Sequence, residues 1–351
     1  MNVIDYGWND YFSSKWNENA TESMFPGRII ADFGQLLKVV TDKGEMLVGR
    51  PLNKGEDFLQ LAVGDWVGLE TDAYGDTLVK ILLPRKTKFS RAAAGIEIKE
   101  QIVAANADTV FITQSLNKDF NMKRLERYMI AAWDSGAVPV VVLTKADCCE
   151  DINEKICMVY DTAPGVEVLA VSAVTGQGMN EIRKYLAPGK TVALLGSSGV
   201  GKSTLVNTLL GEEILKTQEI REDDSKGRHT TTHRELVLLP GGGLLLDTPG
   251  MRALSIWEAD TGMELMFGDI EELALKCRFY DCKHQNEPGC AIRQGIEAGA
   301  LEKKRYESWQ KLQKELAHLE AKKDGKLRQQ ERQFGRQIAK FQKELVKGKY
   351  R

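Results

Sequence analysis

The chain has 351 residues, 42% hydrophobic and 28% charged, with a net charge of −2, a composition that fits two or three globular domains, three being expected. No apolar run reaches the roughly eighteen residues of a membrane-spanning helix, and the opening Met1-Asn2-Val3-Ile4-Asp5-Tyr6 lacks the basic start and apolar centre of a secretory leader. A soluble, cytoplasmic protein with no membrane partner is expected, so the six cysteines read as thiols or metal ligands rather than disulfides.

Residues 1–26 form an extension in which Trp8, Tyr11, Phe12 and Trp16 share one helical face, a pattern that packs on the protein's own body more often than on a partner. From 27 to 90 the pattern changes to short alternating segments, 28–40, 45–50, 58–61, 65–70 and 78–82, separated by turn residues. Five strands in so short a span predict a small Greek-key barrel of the oligonucleotide-binding (OB) kind, although another small barrel gives the same pattern. The stretch Arg85-Lys86-Thr87-Lys88-Phe89-Ser90-Arg91 closes the segment and reads either as a strip along a phosphate backbone or as a basic linker.

Residues 91–256 alternate strand and helix. Strands are expected at 107–113, 138–143, 166–171, 191–195, 233–239 and 244–247, with helices at 122–134, near 180–186, and after 203. This rhythm predicts one doubly wound α/β domain. Its first chemical signal is Thr144-Lys145-Ala146-Asp147 at a strand end. The Asp147 carboxylate can accept from both N1–H and the 2-amino group of guanine, which adenine does not offer, while the Lys145 stem can lie along the ring. Ser172-Ala173, also just past a strand, is placed to give a backbone donor to guanine O6.

The strand at 191–195 feeds Gly196-Ser197-Ser198-Gly199-Val200-Gly201-Lys202-Ser203, a complete phosphate-binding loop with its strand and helix in place. Its backbone N–H groups and the following helix end favour a phosphate chain; Lys202 reaches the β and γ phosphates, Ser203 a magnesium ion, and Thr204 the α phosphate. Downstream, Asp247-Thr248-Pro249-Gly250 follows a strand, which sets Asp247 to hold magnesium through water and the Gly250 N–H to sense the γ phosphate. In Gly227-Arg228-His229-Thr230-Thr231-Thr232, Thr231 by preference, or Thr230 or Thr232, would complete the metal shell only with triphosphate bound. Met251 stands where a water-orienting glutamine is common, so unaided hydrolysis is expected to be slow, and His229 is either the group that positions the water once a partner engages that segment or a plain loop histidine.

After 257 the strand signal stops. Cys277-x4-Cys282-x-His284-x5-Cys290 offers three thiolates and an imidazole, the number and softness of a structural zinc site with no place for a catalytic water. Cys148, Cys149 and Cys157 lack such spacing and read as ordinary thiols. Two apolar stripes follow, Trp309, Leu312, Leu316, Leu319 and then Phe334, Ile338, Phe341, Leu345, as a helical hairpin would have; His318 reads as an ordinary surface or packing residue. Residues 303–351 hold sixteen Lys and Arg against six Asp and Glu, about +10, leaving about −12 for residues 1–302. A basic tail on an acidic body suggests a nucleic-acid partner, with a solvated helical face as the alternative.

Base-reading elements ahead of the phosphate loop, with Gly-Arg-His-Thr-Thr-Thr, Asp-Thr-Pro-Gly and the cysteine cluster behind it, resemble the circularly permuted GTPases of the RsgA (YjeQ/YloQ) family over residues 27 to 320. The resemblance implies a multi-domain α/β protein: an OB-like barrel (27–90), a permuted P-loop GTPase domain (91–256) and a helical zinc domain with a basic tail (257–351). It also implies a monomer that binds GTP and GDP, contacts ribosomal RNA, and hydrolyses GTP under stimulation by the small ribosomal subunit. Thr144 replaces the asparagine usual in GTPases. Two other functions stay open: an RNA-binding module that holds GTP as structure, and a small-molecule phosphotransferase, for which no acceptor-binding constellation is seen.

Overall fold

The computed structural model describes residues 2–51, 60–92, 100–117, 119–211, 234–247 and 259–321. They fall into two compact units, residues up to Met266 in the first and from Phe267 onward in the second.

In the first unit, helix α1 (Asp10–Asn19) is capped by the Asn9 side chain, which accepts from Tyr11 N–H. The aromatic face packs inward as its spacing suggested: Trp8 and Phe12 lie 4.8 and 5.6 Å from the fully buried Trp66 ring. Barrel strands follow: β1 (Phe25–Asp32), β2 (Leu36–Thr41), β3 (Gly44–Gly49), β4 (Trp66–Thr71) and β5 (Thr77–Leu82). The expected single segment 28–40 is two strands, because a turn at Gly34 (φ +86°) breaks it. Alternate residues Ile29, Leu37, Val39, Val67, Leu69 and Val79 fill the core. Of the expected strand at 58–61, residues 58 and 59 lie outside the described residues and 60 and 61 are not in a strand.

The second half of the basic stretch is a strand. β6 (Lys88–Ala92) pairs with β7 (Glu100–Ala105), and its cations turn to protein partners. Arg85 sits 2.6 Å from the buried Asp65, Lys88 3.0 Å from Glu100, and Arg91 Nε donates to Gln101 at 3.0 Å. Lys86 Nζ likewise reaches Asn9 Oδ1 at 3.3 Å, so each of the four cations has a protein acceptor and Lys86 is the most exposed of them.

The nucleotide sheet contains β8 (Thr109–Ser115), β9 (Val138–Thr144), β10 (Glu167–Ala170), β11 (Thr191–Leu195), β12 (Arg234–Leu238) and β13 (Leu244–Asp247). The order β10-β9-β8-β11-β13 is parallel, and every residue of β8 and β11 is buried, as expected of strands covered on both faces. Helices α2 (Met122–Asp134), α3 (Ile152–Thr162), α4 (Met179–Lys184) and α5 (Lys202–Leu210) complete the crossovers. The sheet is mixed rather than wholly parallel. β12 runs antiparallel to β13, and on its other side it pairs with β1 through Ala31↔Glu235 and Asp32↔Arg234. One sheet therefore runs from the nucleotide strands into the barrel, a link that no local pattern announces.

Helix α6 (Asp260–Ala274) leaves helical geometry at Phe267, where the second unit begins. That unit adds α7 (Ala291–Glu297) and α8 (residues 303–321) around a small core of Phe267, Ile270, Ile292, Leu301, Tyr306 and Leu312. The first apolar stripe lies on α8, where Leu312 is buried and Trp309, Leu316 and Leu319 are half-buried. The second stripe and the basic tail from 322 lie outside the described residues. No helix among the described residues is long and apolar enough to cross a membrane.

Candidate nucleotide site and metal cluster

Parallel strands all end at one edge of a sheet, so β8, β9, β10, β11 and β13 deliver their following segments to one place. The phosphate loop leaves β11 there. Gly199 and Gly201 carry φ of +77° and +95°, a left-handed backbone that costs glycine nothing. Gly196 is required for a different reason: a Cβ on it would lie 2.1 Å from Thr113 Oγ1 and 2.6 Å from the Thr113 carbonyl oxygen. Gly196→Ala is therefore expected to push the loop off β8 and weaken nucleotide binding at least about tenfold, measured by calorimetry; unchanged affinity would show that the loop tolerates the shift.

Lys202 is buried and its Nζ donates to the carbonyls of Gly196 (2.7 Å) and Ser197 (2.5 Å), which hold the ammonium inside the curve of the loop. Ser203 and Thr204 occupy the first turn of α5, half-buried. The tetrad Thr144–Asp147 is bound directly to this loop. Lys145, in a left-handed conformation (φ +58°), donates from Nζ to Gly199 O at 3.0 Å, and the Thr144 hydroxyl donates to Val200 O with Gln114 O 3.3 Å away. A threonine hydroxyl thus ties the tetrad to the phosphate loop. Ala146 and Asp147 sit in a short 3-10 turn, where Ala146 N–H donates to Val171 O at 3.1 Å and so ties the tetrad to the end of β10.

A hydrogen bond from Ser172, and then one from the Cys148 thiol (3.3 Å), hold the Asp147 carboxyl below its ordinary range. The carboxylate is ionised and acceptor-only, as guanine recognition needs. Ser172 N–H is committed to Gln177 O at 3.0 Å, so of the pair Ser172-Ala173 it is Ala173 whose N–H has no backbone acceptor among the described residues. Asp247 is the last residue of β13, beside the strand that feeds the loop. Gly250, Met251, His229, Thr231 and its neighbours Thr230 and Thr232 lie outside the described residues.

Sequence reasoning missed a brace on the loop. Ser197 Oγ donates to Asp119 Oδ2 at 3.0 Å, and Asp119 accepts from Arg124 at 2.8 and 3.1 Å. Gln114 holds this turn by bonding both backbone groups of Asn121, the N-cap of α2. No motif marks these residues; the one usable signal is that they follow a strand end.

In the second unit, ligand atoms of Cys277, Cys282, His284 and Cys290 all lie within 4.8 Å of one another, with His284 Nδ1 3.5 Å from the sulfurs of Cys277 and Cys290. Corners of a tetrahedron with metal–sulfur bonds of about 2.3 Å are roughly 3.8 Å apart, so the four donors fit one metal ion. Burial lowers the His284 pKa and favours the neutral imidazole a metal binds. The chain turns back at Pro288-Gly289: Gly289 has φ +76°, and its carbonyl accepts from Arg278 N–H. Tyr306 and Trp309 of α8 each lie 6.4 Å from the His284 ring and close one side.

These features define a P-loop protein in which the strand carrying the Thr144–Asp147 tetrad precedes the phosphate loop, a circular permutation of the usual order. The sequence profile of the RsgA GTPase family matches residues 82–257, and that of a 50S ribosome-binding GTPase matches residues 191–331. The small ribosomal subunit biogenesis GTPase RsgA 2 of Lactiplantibacillus plantarum is 44% identical over 91% of this chain and 90% of its own. RsgA 1 of Listeria innocua is 43% identical over 97% and 96%. The crystal structure of YjeQ from Thermotoga maritima superposes with a TM-score of 0.59 at 25% identity, covering 84% of this chain and 99% of its own. That of YloQ, described as a circularly permuted GTPase, gives 0.54 at 19%, covering 86% and 98%, a likeness of fold. The chain belongs to the RsgA GTPase family.

Proposed function

We propose that the chain hydrolyses GTP at the site above and couples turnover to late maturation of the small ribosomal subunit. The observation that carries the GTP assignment is the pair of bonds from Lys145 and Thr144 to Gly199 and Val200, which make base-reading and phosphate-binding segments one site. In this reading Asp147 accepts from guanine, Ala173 N–H meets O6, Lys202 and the N–H groups of 196–201 hold the phosphates, and Thr204 meets the α phosphate. GTPases work with magnesium; Ser203 and Asp247 would hold it, with Thr231 or an adjacent threonine completing its shell and Gly250 sensing the γ phosphate. His229 positions the water. A His229→Ala variant is expected to keep nucleotide affinity and lose about 10²-fold or more in stimulated turnover; full stimulated turnover would remove that role.

The relatives' names and the second profile point to different subunits. Relatives matching over nine-tenths of the chain carry the small-subunit name, whereas the 50S description covers residues 191–331, so the small subunit is the proposed partner. The barrel at 27–90, the metal module and the basic tail would contact ribosomal RNA, the protein acting as a cytoplasmic monomer. Three thiolates and an imidazole make zinc the expected ion at the cluster, with a structural role. The test is hydrolysis of GTP and ATP with no subunit, with small subunits and with large subunits. Strong stimulation by small subunits and GTP alone supports the reading; equal turnover of ATP, or stimulation by large subunits only, would sink it.

A further inference from the structure

A cavity of about 240 Å³ lies in the first unit, at the end of the nucleotide sheet remote from the phosphate loop, lined by Phe12, Arg28, Lys86, Asn106, Asp108 and Thr191 among others. Arg28 is 2% exposed. Its guanidinium donates to Gly64 O (3.2 Å), Tyr6 O, Thr191 Oγ1 (3.0 Å) and Asn106 O (2.9 Å), all of them neutral acceptors. Five N–H groups are available, so one on Nη2 is left over.

The acids nearby have cations of their own. Asp65 is held by Arg85 at 2.6 and 2.7 Å, and Asp108 accepts from Thr191 N–H (2.9 Å) and Lys190 Nζ (3.4 Å). Lys86, exposed at the cavity wall, is 3.3 Å from Asn9 Oδ1 and 4.9 and 5.4 Å from the Tyr11 and Phe12 ring centres. No carboxylate among the described residues ion-pairs with Arg28 or Lys86. Desolvation pulls the Arg28 pKa down to about 10, outweighing the opposing pull of the Asp108 and Asp65 carboxylates, neither of which it touches.

We propose that this cavity binds a small dianion of the phosphate class, with the Arg28 guanidinium at its floor and the Lys86 ammonium at its mouth. Two cations without a carboxylate in direct contact match a doubly charged anion, and a guanidinium offers the directed donors that phosphate oxygens accept. The source is a free ion rather than a nucleic-acid backbone, because Arg28 is reachable only by a group small enough to enter. The inference does not depend on the guanine assignment.

The test is calorimetric titration of inorganic phosphate into the full chain at ionic strength fixed with chloride. The phosphate loop is filled by magnesium and a non-hydrolysable GTP analogue in one series and disabled by Lys202→Ala in another. One saturable site is expected in both, weakened at least tenfold by Lys86→Ala and also weakened by Arg28→Lys, which keeps charge and loses the fork. Nucleotide affinity of Lys86→Ala, unchanged, confirms that it is folded. Absence of saturable binding, or binding undiminished by Lys86→Ala, overturns the proposal. So does a short single-stranded RNA whose binding depends on Lys86 while phosphate does not bind.

Discussion

Asp147→Ala is expected to lower GTP affinity by about 10²- to 10⁴-fold while leaving ATP affinity where it was. Two hydrogen bonds to an ionised acceptor disappear, and each is worth roughly 1.5–3 kcal/mol. The carboxylate is set up for this: Ser172 and Cys148 donate to it and keep it ionised, and the turn that carries it is tied through Ala146 to Val171 O. Asp147→Asn gives the more discriminating result. Its amide donates where the carboxylate accepted, so xanthosine triphosphate, with a carbonyl in place of the 2-amino group, should bind Asp147→Asn better than GTP does. Calorimetry with the three nucleotides checks both variants. An Asp147→Ala protein that still prefers GTP over ATP would remove Asp147 from base recognition.

Stripping the metal cluster is the second large effect. Structural zinc contributes on the order of 10–16 kcal/mol to small zinc-finger peptides, and the second unit has only a modest apolar core beside its four ligands. A chelator, or Cys282→Ser, should therefore raise hydrogen exchange through residues 277–301 by several orders of magnitude while the first unit still binds nucleotide. Metal analysis of the untreated protein should find one zinc per chain. Protection that survives complete metal removal would show that the core of Phe267, Ile292 and Leu312 suffices alone.

Much of the site was legible because its chemistry is local. The phosphate loop and the tetrad are contiguous, their glycines and charges cannot be exchanged freely, and β11, β13 and α2 fall where their patterns placed them. Helix α3 was missed because its stripe is weak: Val159 is its one fully buried side chain. The β6–β7 hairpin was missed for a different reason. Its lysines and arginines look like a solvated strip until Asp65, Glu100 and Gln101 are brought beside them. Thr144 shows the limit of a motif: only the fold reveals that its hydroxyl reaches Val200, while Ser172 proves to act through its side chain toward Asp147. Arg28, the barrel-to-sheet pairing and the Asp119 brace on Ser197 join residues far apart in the chain, and no window of sequence contains both partners.

The shared strand β1 changes what can be dissected. A truncation starting near residue 90 would strip β12 of its neighbour and leave a bare hydrogen-bonding margin beside the phosphate-loop strands, an invitation to intermolecular stacking. The barrel thus acts as a permanent selvage for the GTPase fabric, and a preparation lacking it would report on aggregation as much as on catalysis.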